Sequence, residues 1–144
     1  MLALVDLDET LVDRQAGFAT WARGLAEEHG LDAEAMAWLR ATDRAIKERG
    51  AFFAAVTDRL PQVGAADRLW ERYRSAMPEL TPAFPGVAQA LMDLRDVGWR
   101  LGVVSNGRSD NQRGKLARTG LLDLFDAVCI SEETGVRKPE RVLR

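Results

Sequence analysis

Three short apolar runs, each followed by a polar turn, constrain what this chain can fold into more than any other feature. Leu2-Ala3-Leu4-Val5 closes on Asp6, and Leu101-Gly102-Val103-Val104 closes on Ser105-Asn106-Gly107. The third run, Ala127-Val128-Cys129-Ile130, precedes a polar stretch that reaches Arg137-Lys138-Pro139. Apolar runs without polar alternation are expected as strands buried on both faces, the condition of a parallel sheet. Around the second run the apolar period becomes that of a helix. Val87, Ala90, Leu91 and Leu94 precede Gly98, and a segment that Asp110 is expected to cap runs through Leu116 to Thr119 and stops at Gly120. Strands alternating with helices predict βαβ units and an α/β fold, a Rossmann-like doubly wound parallel sheet.

Residues 14–79 interrupt that alternation. Phe18, Trp21, Ala22 and Leu25 recur at helical spacing before Gly30, and Ala35, Trp38, Leu39, Thr42, Ala45 and Ile46 repeat it as far as Gly50. Phe52, Phe53, Val56 and Leu60 stop at Pro61, and Leu69, Trp70, Tyr73 and Met77 stop at Pro78. Four such stripes predict an all-helical insert whose aromatic side chains either line a substrate pocket or make the core of a small bundle. The expected division is an α/β core of residues 1–13 and 80–144 and a helical insert of residues 14–79. A 144-residue chain with 47% hydrophobic and 29% charged residues has the composition of a soluble globular protein. Its net charge of −2 lacks the basic excess that a nucleic acid or an anionic membrane selects, so neither is expected as a partner. No stretch approaches the ~20 apolar residues of a membrane helix. Only Met1 to Val5 precede Asp6, so no secretory leader is expected and the expected location is the cytoplasm. Cys129, the single cysteine, excludes an intramolecular disulfide and a multi-cysteine metal site, and is expected as a small buried strand residue.

In open α/β sheets ligands bind beyond the carboxyl ends of the strands, which makes the polar residues there candidates for chemistry. In extended chain residues i and i+2 face the same way, so Asp6 and Asp8 are expected to converge while Leu7 turns aside. Paired carboxylates favour a bound cation or a shared proton, and they offer a nucleophile and an acid–base group. The same Asp-x-Asp also serves in ordinary turns and helix caps. Ser105, Asn106 and Gly107 put a hydroxyl and main-chain N–H groups at a strand-to-helix turn, which suits an anion as well as a plain helix start. Lys138 either neutralises a phosphoryl group and the carboxylates or is solvated surface. Arg14, Arg40, Arg44 and Arg49 either meet an anionic substrate group or form solvated helix faces, and His29 is expected at a helix C-terminus.

Taken together, Asp6-Leu7-Asp8-Glu9-Thr10-Leu11, Phe84-Pro85-Gly86, Val103-Val104-Ser105-Asn106-Gly107 and Ile130-Ser131-Glu132-Glu133-Thr134-Gly135-Val136-Arg137-Lys138-Pro139 resemble the haloacid dehalogenase-like (HAD) hydrolase superfamily. The likeness is to the branch with a helical cap between the first strand and the following helix, where residues 14–79 lie. The resemblance implies that Asp6 is the nucleophile that becomes a phospho-aspartate, and that Asp8 protonates the leaving alcohol and then activates water. It implies that Ser105 and Asn106, with Thr10 and Gly107, bind the phosphorylated substrate, and that Lys138 steadies the charge. Mg²⁺ is implied on the Asp6 carboxylate and the Asp8 main-chain carbonyl. The dehalogenases of the superfamily lack the second Asp and the metal, so Asp8 implies a phosphatase acting on a small phosphorylated metabolite. Glu9 departs from the pattern, which more often has Gly, Asn or Asp there.

The family's fourth motif, one or two further Asp residues that complete the Mg²⁺ site, has no counterpart between Lys138 and Arg144. The chain is therefore expected to be a fragment of a longer protein. The alternatives are a homodimer or second chain covering an exposed sheet edge, or a reduced domain that folds alone. Without the neighbouring strand, Leu2-Ala3-Leu4-Val5 is expected to form an exposed apolar edge. Activity in the 144-residue form is open. Two other functions stand beside the phosphatase: a haloacid dehalogenase, and a catalytically inactive scaffold that acts through protein association.

Overall fold

The computed structural model describes residues 1–140. A three-stranded, all-parallel sheet runs in the order β1 (Leu2–Val5), β2 (Arg100–Ser105), β3 (Ala127–Ile130). Val5 pairs with Val103 and Ser105 with Ile130, so the chain leaves all three strands at the same end of the sheet. Four helices follow β1: α1 (Arg14–His29), α2 (Ala33–Ala45), α3 (Arg49–Arg59) and α4 (Ala66–Leu80). α5 (Val87–Asp96) precedes β2, α6 (Ser109–Arg118) joins β2 to β3, and the four-residue α7 (Ser131–Thr134) follows β3. No described helix is long and apolar enough to cross a membrane.

Two apolar clusters hold these elements. The first lies among α1–α4, where Phe18, Trp21, Leu39, Phe52, Phe53, Leu69 and Tyr73 are buried. Several of its aromatic pairs meet edge to face, among them Trp21 on Tyr73 at 5.1 Å and Phe52 on Phe53 at 4.9 Å. The edge-to-face geometry adds to the ~1.5–3 kcal/mol that burial of each large side chain contributes. Most residues of the helical stripes are therefore core, while Ala45 is exposed and Trp38, Ile46 and Trp70 are only partly buried. The second cluster, with Leu7, Leu11, Val12, Leu91, Leu101, Val103, Leu116 and Leu121, packs α5 and α6 on the sheet.

Several local expectations give way to the structure. α2 ends at Ala45, and Gly50 lies in the first turn of α3, because the Glu48 carboxylate accepts the N–H groups of Gly50 and Ala51 and starts a new helix there. Pro78 lies inside α4, which runs on to Leu80. So near the C-terminal end the missing N–H removes a single bond, and the Thr81 N–H still returns to the Met77 carbonyl. α6 begins at Ser109, with Asp110 in its first turn and facing Arg74 at 3.2 Å. β1 is an edge strand with one face uncovered among the described residues: Leu2 is 59% and Leu4 62% exposed. Only the central strand β2 has the near-continuous burial expected of all three, and Cys129 on β3 is exposed.

Candidate active site

The shared strand end is where the polar residues collect. Asp6 follows β1 directly, and its Oδ1 accepts the N–H of Leu7 at 2.8 Å. The same oxygen lies 2.9 Å from Lys138 Nζ, which also donates to the Val104 carbonyl at 2.7 Å. Lys138 is delivered by its main chain. Its N–H donates to Asn106 Oδ1 at 2.8 Å, and Asn106 Nδ2 donates back to the Lys138 carbonyl at 3.1 Å. Asn106 thus clamps a segment 32 residues away in sequence onto the end of β2. Ser105 is buried beside it. Gly107 has φ 144, and a Cβ there would press on the Gln112 side chain at 3.0 Å, so both conformation and space require glycine.

A tight turn sets Asp8. The Leu7 carbonyl accepts the N–H groups of Thr10, Leu11 and Val12, and the Leu7 side chain is fully buried, so the chain doubles back over an anchored residue. The Asp8 carboxylate then meets α6: Lys115 Nζ donates to Oδ1 at 2.8 Å, and Gln112 Nε2 donates to Oδ2 at 3.0 Å. Burial pulls the Lys115 ammonium below the ordinary lysine value, and the Asp8 charge opposes that pull. The two carboxylates thus have separate cations, Lys138 for Asp6 and Lys115 for Asp8. Gln112 and Lys115 carry no sequence signal beyond polarity at i and i+3 of a helix. Thr10 is exposed, and its N–H bonds Leu7; among the described residues no hydrogen bond joins it to the other predicted site residues.

A cavity of about 900 Å³ opens beside Asp8, Asn106 and Gly107, with Gln112 and Lys115 on the same wall. Arg14, Lys47, Arg49, Trp70 and Tyr73 from the helical part form the facing wall. Asp6, Ser105 and Lys138 lie outside that lining. Arg14 and Arg49 are not solvated helix faces. Both grip the buried carboxylate of Asp43, Arg14 at 2.6 and 2.9 Å and Arg49 at 2.8 Å, and Arg14 also reaches the Tyr73 hydroxyl. Burial alone would push the Asp43 carboxyl up, but the two guanidinium groups outweigh it and hold it below the usual carboxylate range. Arg40 and Arg44 are exposed, and His29 ends α1 as expected.

Among the described residues no group of three or more His, Cys, Asp or Glu side chains is arranged to hold a metal. Two hard oxygen donors are present: the half-exposed carboxylate of Asp6, and the Asp8 main-chain carbonyl, which accepts no hydrogen bond among the described residues. Mg²⁺ is commonly held by one or two carboxylates, with water and phosphate oxygens completing the octahedron, and this donor set fits that pattern.

Comparison with known proteins shows what the chain is similar to. Residues 3–143 match the family model described as haloacid dehalogenase-like hydrolase. A glyceraldehyde 3-phosphate phosphatase from Methanothermobacter thermautotrophicus is 35% identical over 150 residues, covering 93% of this chain and 64% of that protein. The chain therefore spans somewhat less than two thirds of that relative. A phosphoglycolate phosphatase from Cereibacter sphaeroides is 37% identical over 73 residues, covering 51% of this chain and 34% of the relative. Among solved structures, the HAD-hydrolase YfnB from Bacillus subtilis, described as bound to magnesium, superposes with a TM-score of 0.83 at 26% identity, covering 96% of this chain and 67% of that one.

Proposed function

This chain belongs to the haloacid dehalogenase-like hydrolases, and from that premise we propose that it carries the site of a Mg²⁺-dependent phosphatase acting on a small phosphorylated metabolite. The observation that carries the reading is the meeting of Lys138 Nζ with the Asp6 carboxylate at 2.9 Å, at the strand end where Ser105 and Asn106 also lie. A carboxylate beside a fixed ammonium, at an anion-binding turn, has the parts that phosphoryl transfer requires: a nucleophile in position and neutralised charge.

In this reading an Asp6 carboxylate oxygen attacks phosphorus and the P–O bond to the alcohol breaks. Asp8, in its protonated form for this step, gives the departing oxygen its proton. Asp8, now a carboxylate, takes a proton from water as that water attacks the phosphorus of the phospho-aspartate. The Asp6–phosphorus bond breaks, and inorganic phosphate leaves with Asp6 and Asp8 restored. The Ser105 hydroxyl and the Asn106 and Gly107 main chain hold the phosphoryl oxygens, and Lys138 balances their charge. The Asp6 carboxylate and the Asp8 carbonyl would hold Mg²⁺, which when bound supplies further neutralisation of the phosphoryl oxygens. Thr10, exposed at the turn, would reach substrate from the rim. Residues 14–79 serve as a cap over the core of residues 1–13 and 80–144, and the cavity beside Asp8, Asn106 and Gly107 takes the part of the metabolite beyond its phosphoryl group.

Hydrolysis of p-nitrophenyl phosphate with added Mg²⁺ tests the reading. Asp6→Asn is expected to lower the rate by on the order of 10³-fold or more. An Asp6→Asn chain as fast as the wild type would overturn it.

A further inference from the structure

Gln112 and Lys115 stand one turn apart on α6, and each is only 3% exposed. Gln112 Nε2 lies 3.0 Å from Asp8 Oδ2, 2.6 Å from Ser105 Oγ and 3.2 Å from the Asn106 carbonyl oxygen. The carboxylate and the carbonyl can only accept hydrogen bonds. The nitrogen end of the amide must therefore face this cluster, since its oxygen would meet two further acceptors there. An amide NH₂ can only donate, so Ser105 Oγ accepts at this contact and keeps its own hydrogen for another partner. The one acceptor which that hydrogen reaches among the described residues is the Asn106 carbonyl at 3.4 Å, a long contact. The Ser105 hydroxyl thus stands ready to donate.

The second oxygen of Asp8 is held by Lys115 Nζ at 2.8 Å, and the Lys115 side chain is 4% exposed. Each carboxylate oxygen of Asp8 therefore has its own buried donor from one helix face. A Cβ on residue 107 would lie 3.0 Å from Gln112 Cγ and 3.1 Å from its Cδ, so glycine there leaves the Gln112 side chain its place against Asp8 and Ser105. A buried ion pair with a buried amide is a poor device for stability, because apolar side chains of similar volume commonly do as well. Two donors aimed at one carboxylate are better understood as fixing its orientation.

We propose that Gln112 is a positioning residue, which fixes the Asp8 carboxylate with the help of Lys115 and turns the Ser105 hydroxyl hydrogen toward a phosphoryl oxygen. The inference rests on the phosphatase reading given above. It links the proton-transfer group and the phosphoryl cradle through one side chain, so that both are set together.

The test exploits leaving-group chemistry. Phenolate is a much poorer leaving group than p-nitrophenolate and depends more on a well-placed proton donor, while the two esters are nearly the same shape. In Gln112→Met the kcat for p-nitrophenyl phosphate is expected to fall, and that for phenyl phosphate to fall about tenfold further, with KM for both nearly unchanged. Thermal unfolding establishes that the variant is folded. A second pair guards against a folding defect: Lys115→Arg keeps a donor and is expected to retain the wild-type ratio of the two rates, while Lys115→Met lowers it. A ratio unchanged in both Gln112→Met and Lys115→Met, whatever the loss in rate, would show a merely structural role and overturn the proposal. A wild type that hydrolyses neither ester would refute the phosphatase reading, and this inference with it.

Discussion

At the residue scale, charge is concentrated at a few buried points. Asp43 serves two arginines and is 3% exposed. Asp43→Asn leaves both guanidinium groups without their counter-charge and is expected to cost about 3 kcal/mol in urea unfolding. The pH dependence has a definite sign. The carboxyl is held below its ordinary value in the folded state, so its contribution is full above about pH 4 and is lost as pH falls further. Wild type is therefore expected to lose stability toward acid more steeply than Asp43→Asn, and parallel acid limbs would contradict the assignment. Glu9, by contrast, is exposed and matters through its backbone. It has φ 60, the left-handed region that suits Gly, Asn or Asp, and its carboxylate accepts the N–H of Gln15 at the start of α1. Glu9→Ala keeps the strain and loses the cap, a cost of about 1 kcal/mol, whereas Glu9→Gly is expected to be close to neutral. Asp6, Asp8 and Lys138 stood out in the sequence because each follows an apolar run. Gln112 and Lys115 did not, because a polar residue on a helix shows only its spacing, and the turn at Leu7 that brings Asp8 to them is a matter of tertiary packing.

At the scale of elements, the boundaries that escaped the sequence are those where a local stop signal lost to a neighbour. Gly50 was overruled by the Glu48 cap, and Pro78 by its place in the last turns of α4. The periodic stripes themselves read correctly, since amphipathic spacing reflects the same burial that the structure shows. α1 carries two glycines of opposite meaning. A Cβ on Gly24 would meet nothing within 4 Å, while one on Gly17 would lie 2.6 Å from Thr81 Oγ1 and 3.1 Å from the Thr81 Cα. Gly24→Ala is expected to raise stability by about 0.5–1 kcal/mol through helix propensity alone. Gly17→Ala is expected to lower it by about 1–3 kcal/mol, because the backbone of the chain returning to the sheet must move. Thermal unfolding of the two variants checks the contrast, and equal shifts would contradict the packing at Thr81.

At the scale of the whole molecule, the parallel α/β sheet and the run of helices after β1 were legible because the hydrophobic period changes along the chain. The exposure of β1 was legible only through the resemblance, since Leu2 to Val5 taken alone reads as a strand buried on both faces. Leu2→Thr and Leu4→Thr together are expected to change stability by about 0.5 kcal/mol each at most, because both side chains already face out. The central claim is that Asp6, held by Lys138 at the common strand end, takes the phosphoryl group during turnover. Acid quenching of the chain during hydrolysis of p-nitrophenyl phosphate, followed by peptide mass spectrometry, tests it most directly. A phosphoryl adduct is expected on the peptide containing Asp6 and is expected to be absent from Asp6→Asn. Steady release of phosphate with no adduct on that peptide, or with the adduct on another residue, would contradict the claim.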